Sequence, residues 1–236
     1  MQALGNDFVL VREADLRAPL THAQIRFLCD RRQGVGCDQL ILLKEHPTAD
    51  IEIGFYNEDG SAALACGNGT RCVAKYLEKP EGTIQTPSGL SSFWRHGEDV
   101  TISLKKPHPP SPLAQAYLVD VGNPHHVMFV EDVEAIDLDA LARSVQPPDG
   151  INVEIAHVTS PTSLKVRVWE RGVGMTPACG SGACAVGFCA VHLGLVDPAP
   201  LTLEMDGGAL TVEVKEDTLL LTGPAVFCFE GSIALP

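Results

Sequence analysis

Several common signatures are missing from this 236-residue chain. No apolar run approaches the roughly 20 residues that a membrane-spanning helix needs. The opening stretch MQALGNDFVLV has no basic region followed by a long apolar segment, so neither a membrane anchor nor an export signal is expected. The expected location is the cytoplasm. Positive charge is scarce, with 17 Lys and Arg against 30 Asp and Glu. The basic residues never gather beyond pairs such as Arg31-Arg32 and Lys105-Lys106, and a net charge of −13 repels a phosphate backbone, so nucleic acid is not an expected partner. No C-x-x-C, H-x-x-x-H or H-E-x-x-H spacing occurs, which removes the usual marks of zinc and thioredoxin-type sites, and no metal is expected. The eight cysteines do not make a secreted disulfide scaffold either, because a chain this long with 45% apolar residues can bury a core without staples.

What the chain does have is repetition. ACGNGTRC (Ala65 to Cys72) returns as ACGSGACA (Ala178 to Ala185), with Cys66 and Cys179 standing 113 residues apart. At the same offset Gly67 and Gly69 match Gly180 and Gly182, Tyr56-Asn57-Glu58 matches Trp169-Glu170-Arg171, and Gln39 matches Asn152. With small insertions GNDFVLV (Gly5 to Val11) resembles GNPHHVMFV (Gly122 to Val130), which sets Asn6 against Asn123. Two halves of one design are expected, joined near KKPHPPSP (Lys105 to Pro112), where prolines forbid regular structure. In each half a short helix is followed by two strands and the cysteine segment. Thr21 and Gln24 form a capping box for a helix through about Arg32, and Asp137 caps its counterpart through Val145. Helices are then expected over 67–78 and 180–193, each buried among strands.

A cysteine at the start of a helix meets unsatisfied N–H groups and the positive end of the macrodipole, both of which favour a thiolate and should bring its pKa toward neutrality. Flanking glycines let a substrate carboxylate reach the same donors. Two such cysteines whose helix ends converge on one cleft could invert a stereocentre, one sulfur removing a proton and the other returning it.

The set LGNDF, GVGCDQ, FYNEDGS, ACGNGTRC, VGNPHHV, NVE and WERGVGMTPACGSGACA, in this order along nearly the whole chain, resembles the diaminopimelate epimerase family. That resemblance implies an α+β fold of two pseudo-symmetric domains, each a β-barrel-like mixed sheet around a central helix. Residues 1–111 would form the first, with the last ten or so residues returning to it, and 112–236 the second. It implies cofactor-independent interconversion of L,L- and meso-diaminopimelate for lysine and peptidoglycan precursor synthesis, and a homodimer. Cys66 and Cys179 would be the acid/base pair, supported by His125 and Glu170. Asn6, Gln39, Asn57, Gly67, Asn68, Asn123, Asn152, Glu170, Arg171, Gly180 and Ser181 would hold the substrate. Two departures stand out: Met175 occupies a position where the family usually has Glu, and Cys37 one where it has a small residue such as Ala. Alternative readings are a racemase or epimerase of the proline or hydroxyproline type, and a non-catalytic ligand-binding or redox-sensing module.

Overall fold

A computed structural model describes all 236 residues, and the fold is α+β, rich in strands with few helices. The chain divides into two compact units, Met1–Ile102 with Pro224–Pro236, and Ser103–Gly223. The first unit contains β1 (Gln2–Ala3), β2 (Asn6–Arg12), α1 (His22–Cys29), β3 (Gln39–Lys44), β4 (Ile51–Asn57), β5 (Ala62–Ala63), α2 (Gly67–Tyr76), β6 (Glu81–Thr86), β7 (Gly89–His96) and the start of β8 (Asp99–Lys105). In the second lie β9 (Ser111–Leu113), β10 (Ala116–Asp120), β11 (Pro124–Phe129), α3 (Leu138–Ser144), β12 (Asn152–Ser160), β13 (Ser163–Glu170), β14 (Gly174–Thr176), α4 (Gly180–His192), β15 (Leu201–Met205), β16 (Gly208–Val214) and most of β17 (Thr218–Pro224). The division falls inside β8 rather than at residue 111, and only 106–110 of the proline-rich stretch lie outside strands. No helix is long and apolar enough to cross a membrane.

The strand pairings repeat. In the first unit β2 is parallel to β3, β3 antiparallel to β4, β4 parallel to β6, and β6 antiparallel to β7, which pairs antiparallel with β8. The second follows the same sequence through β11, β12, β13, β15, β16 and β17. The register agrees with the 113-residue offset: Leu40 faces Tyr56 and Ile41 faces Phe55, while Val153 faces Trp169 and Glu154 faces Val168.

β3 and β12 are buried on both faces, and their alternation assigns each residue to one of two layers. Leu40 and Leu42 pack with Ile25, Leu28, Cys29 and Cys37 around α1. Val153 and Ile155 pack with Val133, Leu138 and Ala142 around α3. The residues between them, Ile41 and Glu154, face the other way, toward the first turns of α2 and α4. α4 is buried along ten of its thirteen residues, as expected for a helix apolar all round. α2 buries the run Asn68–Ala74, including the fully buried Arg71.

Helix ends follow local chemistry. The Thr21–Gln24 capping box is present and Asp137 caps α3. α1 stops at Cys29 instead of reaching Arg32, because Asp30 Oδ1 accepts the N–H groups of Arg32 and Gln33 and turns the chain. α2 stops at Tyr76, two residues before Glu78 at φ +56°, and α4 at His192, two before Gly194 at φ +67°.

Candidate active site

Both repeated cysteines are N-caps. Cys66 has extended backbone (φ −153°, ψ 104°) and its Sγ accepts the N–H of Gly69 at 3.4 Å. Cys179 (φ −130°, ψ 119°) does the same with Gly182, also at 3.4 Å. Each sulfur thus occupies the place of a serine or aspartate cap oxygen, satisfying one of the helix's orphan donors. The glycine at the third helical position is sterically required in both: a Cβ at 69 would lie 2.9 Å from both Ile41 Cδ1 and Phe55 Cε1, and one at 182 would lie 2.8 Å from Glu154 Oε1.

The first unit's half-site is a chain of amides. The Cys66 thiol points at Asn6 Oδ1 at 3.9 Å, and the same oxygen accepts from Asn68 Nδ2 at 3.3 Å. Asn6 Nδ2 donates to Asp38 Oδ2 at 2.8 Å, and Asp38 is fixed in turn by the Asp7 N–H and by Arg31. Asn68 Oδ1 accepts from Arg71 Nη2, so this asparagine braces Asn6 from below. On the paired strands β3 and β4, Gln39 Nε2 donates to Asn57 Oδ1 at 2.9 Å, and Asn57 Nδ2 donates to Ser61 Oγ. Gln39 Oε1 is buried with no partner. Gly67, partly buried, opens the helix beside Cys66.

The second half-site is charged. Cys179 Sγ lies 3.3 Å from Ser181 Oγ, and Gly180 is buried between them. Glu170, at the end of β13, accepts the Thr176 hydroxyl at 2.6 Å and a hydrogen bond from the Cys179 thiol. Burial pushes the Glu170 carboxyl up, the nearby charge of Glu154 adds to this, and the bonds from Thr176 and Cys179 offset part of it. The expected fall of the thiol pKa is reversed at Cys179: burial, then the charges of Glu170 and Glu154, push it well above the ordinary value of 9.0, against the pull of Ser181 and the Gly182 N–H. In this arrangement Cys179 is a neutral thiol at neutral pH. His125 is fully buried on β11, with Nδ1 2.7 Å from Glu154 Oε1 and Nε2 3.1 Å from Asn123 Oδ1.

Asn152 and Arg171 are held together by the backbone. Asn152 Oδ1 accepts the Arg171 N–H at 2.9 Å while its Nδ2 donates to the Pro124 carbonyl. The exposed Arg171 side chain crosses Gly150, where a Cβ would sit 2.7 Å from its Cδ, and Nη1 donates to the Asp149 carbonyl. Both amide ends of Asn152 are thus engaged with protein, as are those of Asn6 and Asn57. Met175 is 40% exposed on β14, pointing away from the face that Thr176 presents to Glu170. Cys37 is buried with its Sγ 3.6 Å from Cys29 Sγ, away from this chemistry. The sequence reading did not single out Arg71, Asp38, Thr176 or Glu154. No group of three or more His, Cys, Asp and Glu side chains could hold a metal ion.

A family model described as "Diaminopimelate epimerase" matches residues 1–106 and 117–228. Among curated relatives, diaminopimelate epimerase of Gluconobacter oxydans is 42% identical, the match covering 99% of this chain and 97% of that protein. Diaminopimelate epimerase of Rhodospirillum centenum is 39% identical, covering 99% and 91%. Among solved structures, a Bacillus anthracis phenazine biosynthesis protein of the PhzF family superposes with a TM-score of 0.72 at 16% identity, covering 100% of this chain and 95% of that one. A hydroxyproline epimerase from Agrobacterium vitis, with bound trans-4-hydroxy-L-proline, gives 0.69 at 15% identity, covering 94% and 86%. At such identities the structures speak for the fold alone.

Proposed function

The chain belongs to the diaminopimelate epimerase family, and from that premise we propose that it interconverts L,L- and meso-diaminopimelate without a cofactor, with Cys66 and Cys179 as its two acid/base groups. The observation that carries this reading is the duplication of one device: two cysteines in the same cap position, each bonded to the N–H three residues on at the same 3.4 Å. A single cap cysteine serves a nucleophile as well as it serves an acid. A duplicated one serves a reaction in which a hydrogen leaves one face of a carbon and arrives on the other.

In the proposed step a thiolate removes the α-hydrogen, the electron pair delocalises into the adjacent carboxylate, and the other thiol delivers its proton to the opposite face. The regenerated pair has exchanged roles. The carboxylate of the carbanion would take N–H donors from the first helical turns, at Gly67 and Asn68 or at Gly180 and Ser181, each such donor contributing about 3 kcal/mol to the transition state. Glu170 has two duties in this scheme. Its raised pKa and its hydrogen bond from Cys179 suit it to receive the thiol proton when Cys179 acts as base. It also stands next to Arg171, and a carboxylate beside a guanidinium matches the ammonium and carboxylate at the unreacting end of diaminopimelate. The amides of Asn6, Gln39, Asn57 and Asn123 orient this zwitterion without adding net charge. The reading includes a cytoplasmic location and a homodimer, the latter to be measured by light scattering of the purified chain.

The experiment is incubation in heavy water with meso-diaminopimelate and, separately, with L-proline. Deuterium at the α-carbon of diaminopimelate, absent with either Cys66→Ala or Cys179→Ala over many wild-type turnovers, is the expected result. Uptake into proline alone would replace the substrate assignment, and uptake surviving both substitutions would remove the two-cysteine mechanism.

A further inference from the structure

We propose that Glu154 is a positioning residue for the reaction, holding His125 in one orientation beneath the first turn of α4, and that this buried pair is retained at a cost in stability. The proposal rests on the epimerase reading for its activity half and stands apart from it for its stability half.

The two units differ at equivalent positions. Ile41 faces Phe55 in the first, and Glu154, 113 residues later, faces Val168 in the second. Phe8 pairs with Gln39 across parallel strands, and His125 pairs with Asn152 across the equivalent ones. The pair Phe8 and Ile41 therefore occupies the places of His125 and Glu154. Steric neighbours agree: a Cβ on Gly69 would meet Ile41, Phe55 and Phe8, all apolar tips, whereas one on Gly182 would meet the Glu154 carboxylate. The same cap geometry thus rests on hydrocarbon in one unit and, in the other, on a carboxylate that is itself bonded to an imidazole.

Stability does not account for the polar version. His125 and Glu154 are each 0% exposed, a single contact of 2.7 Å joins them, and Glu154 Oε2 is buried with no partner. Burying such groups costs free energy that an apolar pair of similar volume does not incur, and replacement of buried ion pairs by hydrocarbon is often neutral or stabilising. What the pair provides is orientation. As a carboxylate, Glu154 selects the ring form with its proton on Nδ1, and the 2.7 Å contact holds the ring with Nε2 toward Asn123. Its negative charge, lying under Gly182, also favours the neutral form of Cys179, the form a proton donor needs.

The test uses the full chain with three variants, Glu154→Gln, Glu154→Ile and the double variant His125→Phe with Glu154→Ile, which rebuilds the pair of the first unit. For Glu154→Ile, kcat for diaminopimelate is expected to fall about 100-fold with KM within about threefold, the size of a misplaced acid/base group. Glu154→Gln, which keeps the shape and an acceptor, should recover part of this. The double variant should be no slower than Glu154→Ile, because groups acting as a unit are not additive, and its melting temperature should equal or exceed the wild type's. A wild-type kcat in Glu154→Gln and Glu154→Ile, a rise in KM that accounts for the loss, or a double variant slower than Glu154→Ile would overturn the positioning role. A fall in the double variant's melting temperature would overturn the stability cost. If the wild-type chain exchanges no deuterium into diaminopimelate, the substrate assignment fails, while the melting comparison still judges the pair.

Discussion

Gly69→Ala offers a quantitative test of how α2 is seated. The new methyl would lie 2.9 Å from Ile41 Cδ1, 2.9 Å from Phe55 Cε1 and 3.2 Å from Phe8 Cε1. These separations are about 0.5 Å or more inside the best carbon–carbon distance. All three neighbours belong to strands buried beneath the helix, so the helix's first turn has to lift. Overpacking of this kind costs about 1–3 kcal/mol, and the gain from replacing a helical glycine returns about 1 kcal/mol at most. A net loss of up to about 2 kcal/mol lowers the melting temperature by up to about 8 °C in a chain of this length. The lift also carries away the N–H that Cys66 Sγ accepts at 3.4 Å. Losing about 1 kcal/mol of that interaction in the transition state slows turnover roughly fivefold to tenfold. Thermal melts and initial rates of Gly69→Ala, Ile41→Val and the double variant measure both effects. Ile41→Val removes one of the two atoms at 2.9 Å, so the double variant should be more stable than the sum of the singles by about 0.5 kcal/mol or more. Strict additivity, or a Gly69→Ala protein more stable than the wild type, would refute the seating described here.

Other predictions concern the charged half-site and its supports. Burial raises the Glu170 carboxyl, so its native form binds a proton more tightly than the unfolded chain does; the associated stability is complete below the ordinary value of 4.5 and is lost as pH rises through the native value. Glu170→Gln should therefore gain on the wild type with rising pH above 4.5, by at most about 1.4 kcal/mol per pH unit; a pH-independent difference in urea midpoints would contradict this. Asp38→Ala frees Asn6 Nδ2 from its 2.8 Å anchor and is expected to raise KM about tenfold with kcat changed less, since a net loss of about 1–2 kcal/mol falls on binding; unchanged steady-state kinetics would count against Asn6 as a substrate ligand. Met175→Glu should leave kcat within about threefold, because Thr176 on the opposite face of β14 supplies the bond to Glu170; a large gain in rate would show that the missing carboxylate matters.

How much of this site could be seen in the sequence depends on the distance over which each interaction acts. The cap cysteines, their glycines and the Thr21 capping box were legible because a helix terminus is solved within four residues, and the chemistry of its orphan donors is written locally. The matching strand order of the two units was legible as a 113-residue offset for the same reason: one local solution used twice leaves the same letters. Glu154 was not legible. In NVEIAHV a single acid between valine and isoleucine is compatible with either face of a strand, and only the pairing of β12 with β13 and the approach of α4 put it inward. The pKa of Cys179 misled in the same way. Its helix end favours a thiolate, but burial in the folded unit reverses that preference, helped by Glu170 and Glu154, which arrive from strands 9 and 25 residues earlier in the chain. Local sequence thus marked the two cap cysteines, whereas the surroundings that raise the Cys179 thiol were set by partners brought in by the fold. Both copies of the device would meet the same apolar floor if the two units were identical. The replacement of Phe8 and Ile41 by His125 and Glu154 breaks that equivalence at the point where the duplicated helices meet their sheets.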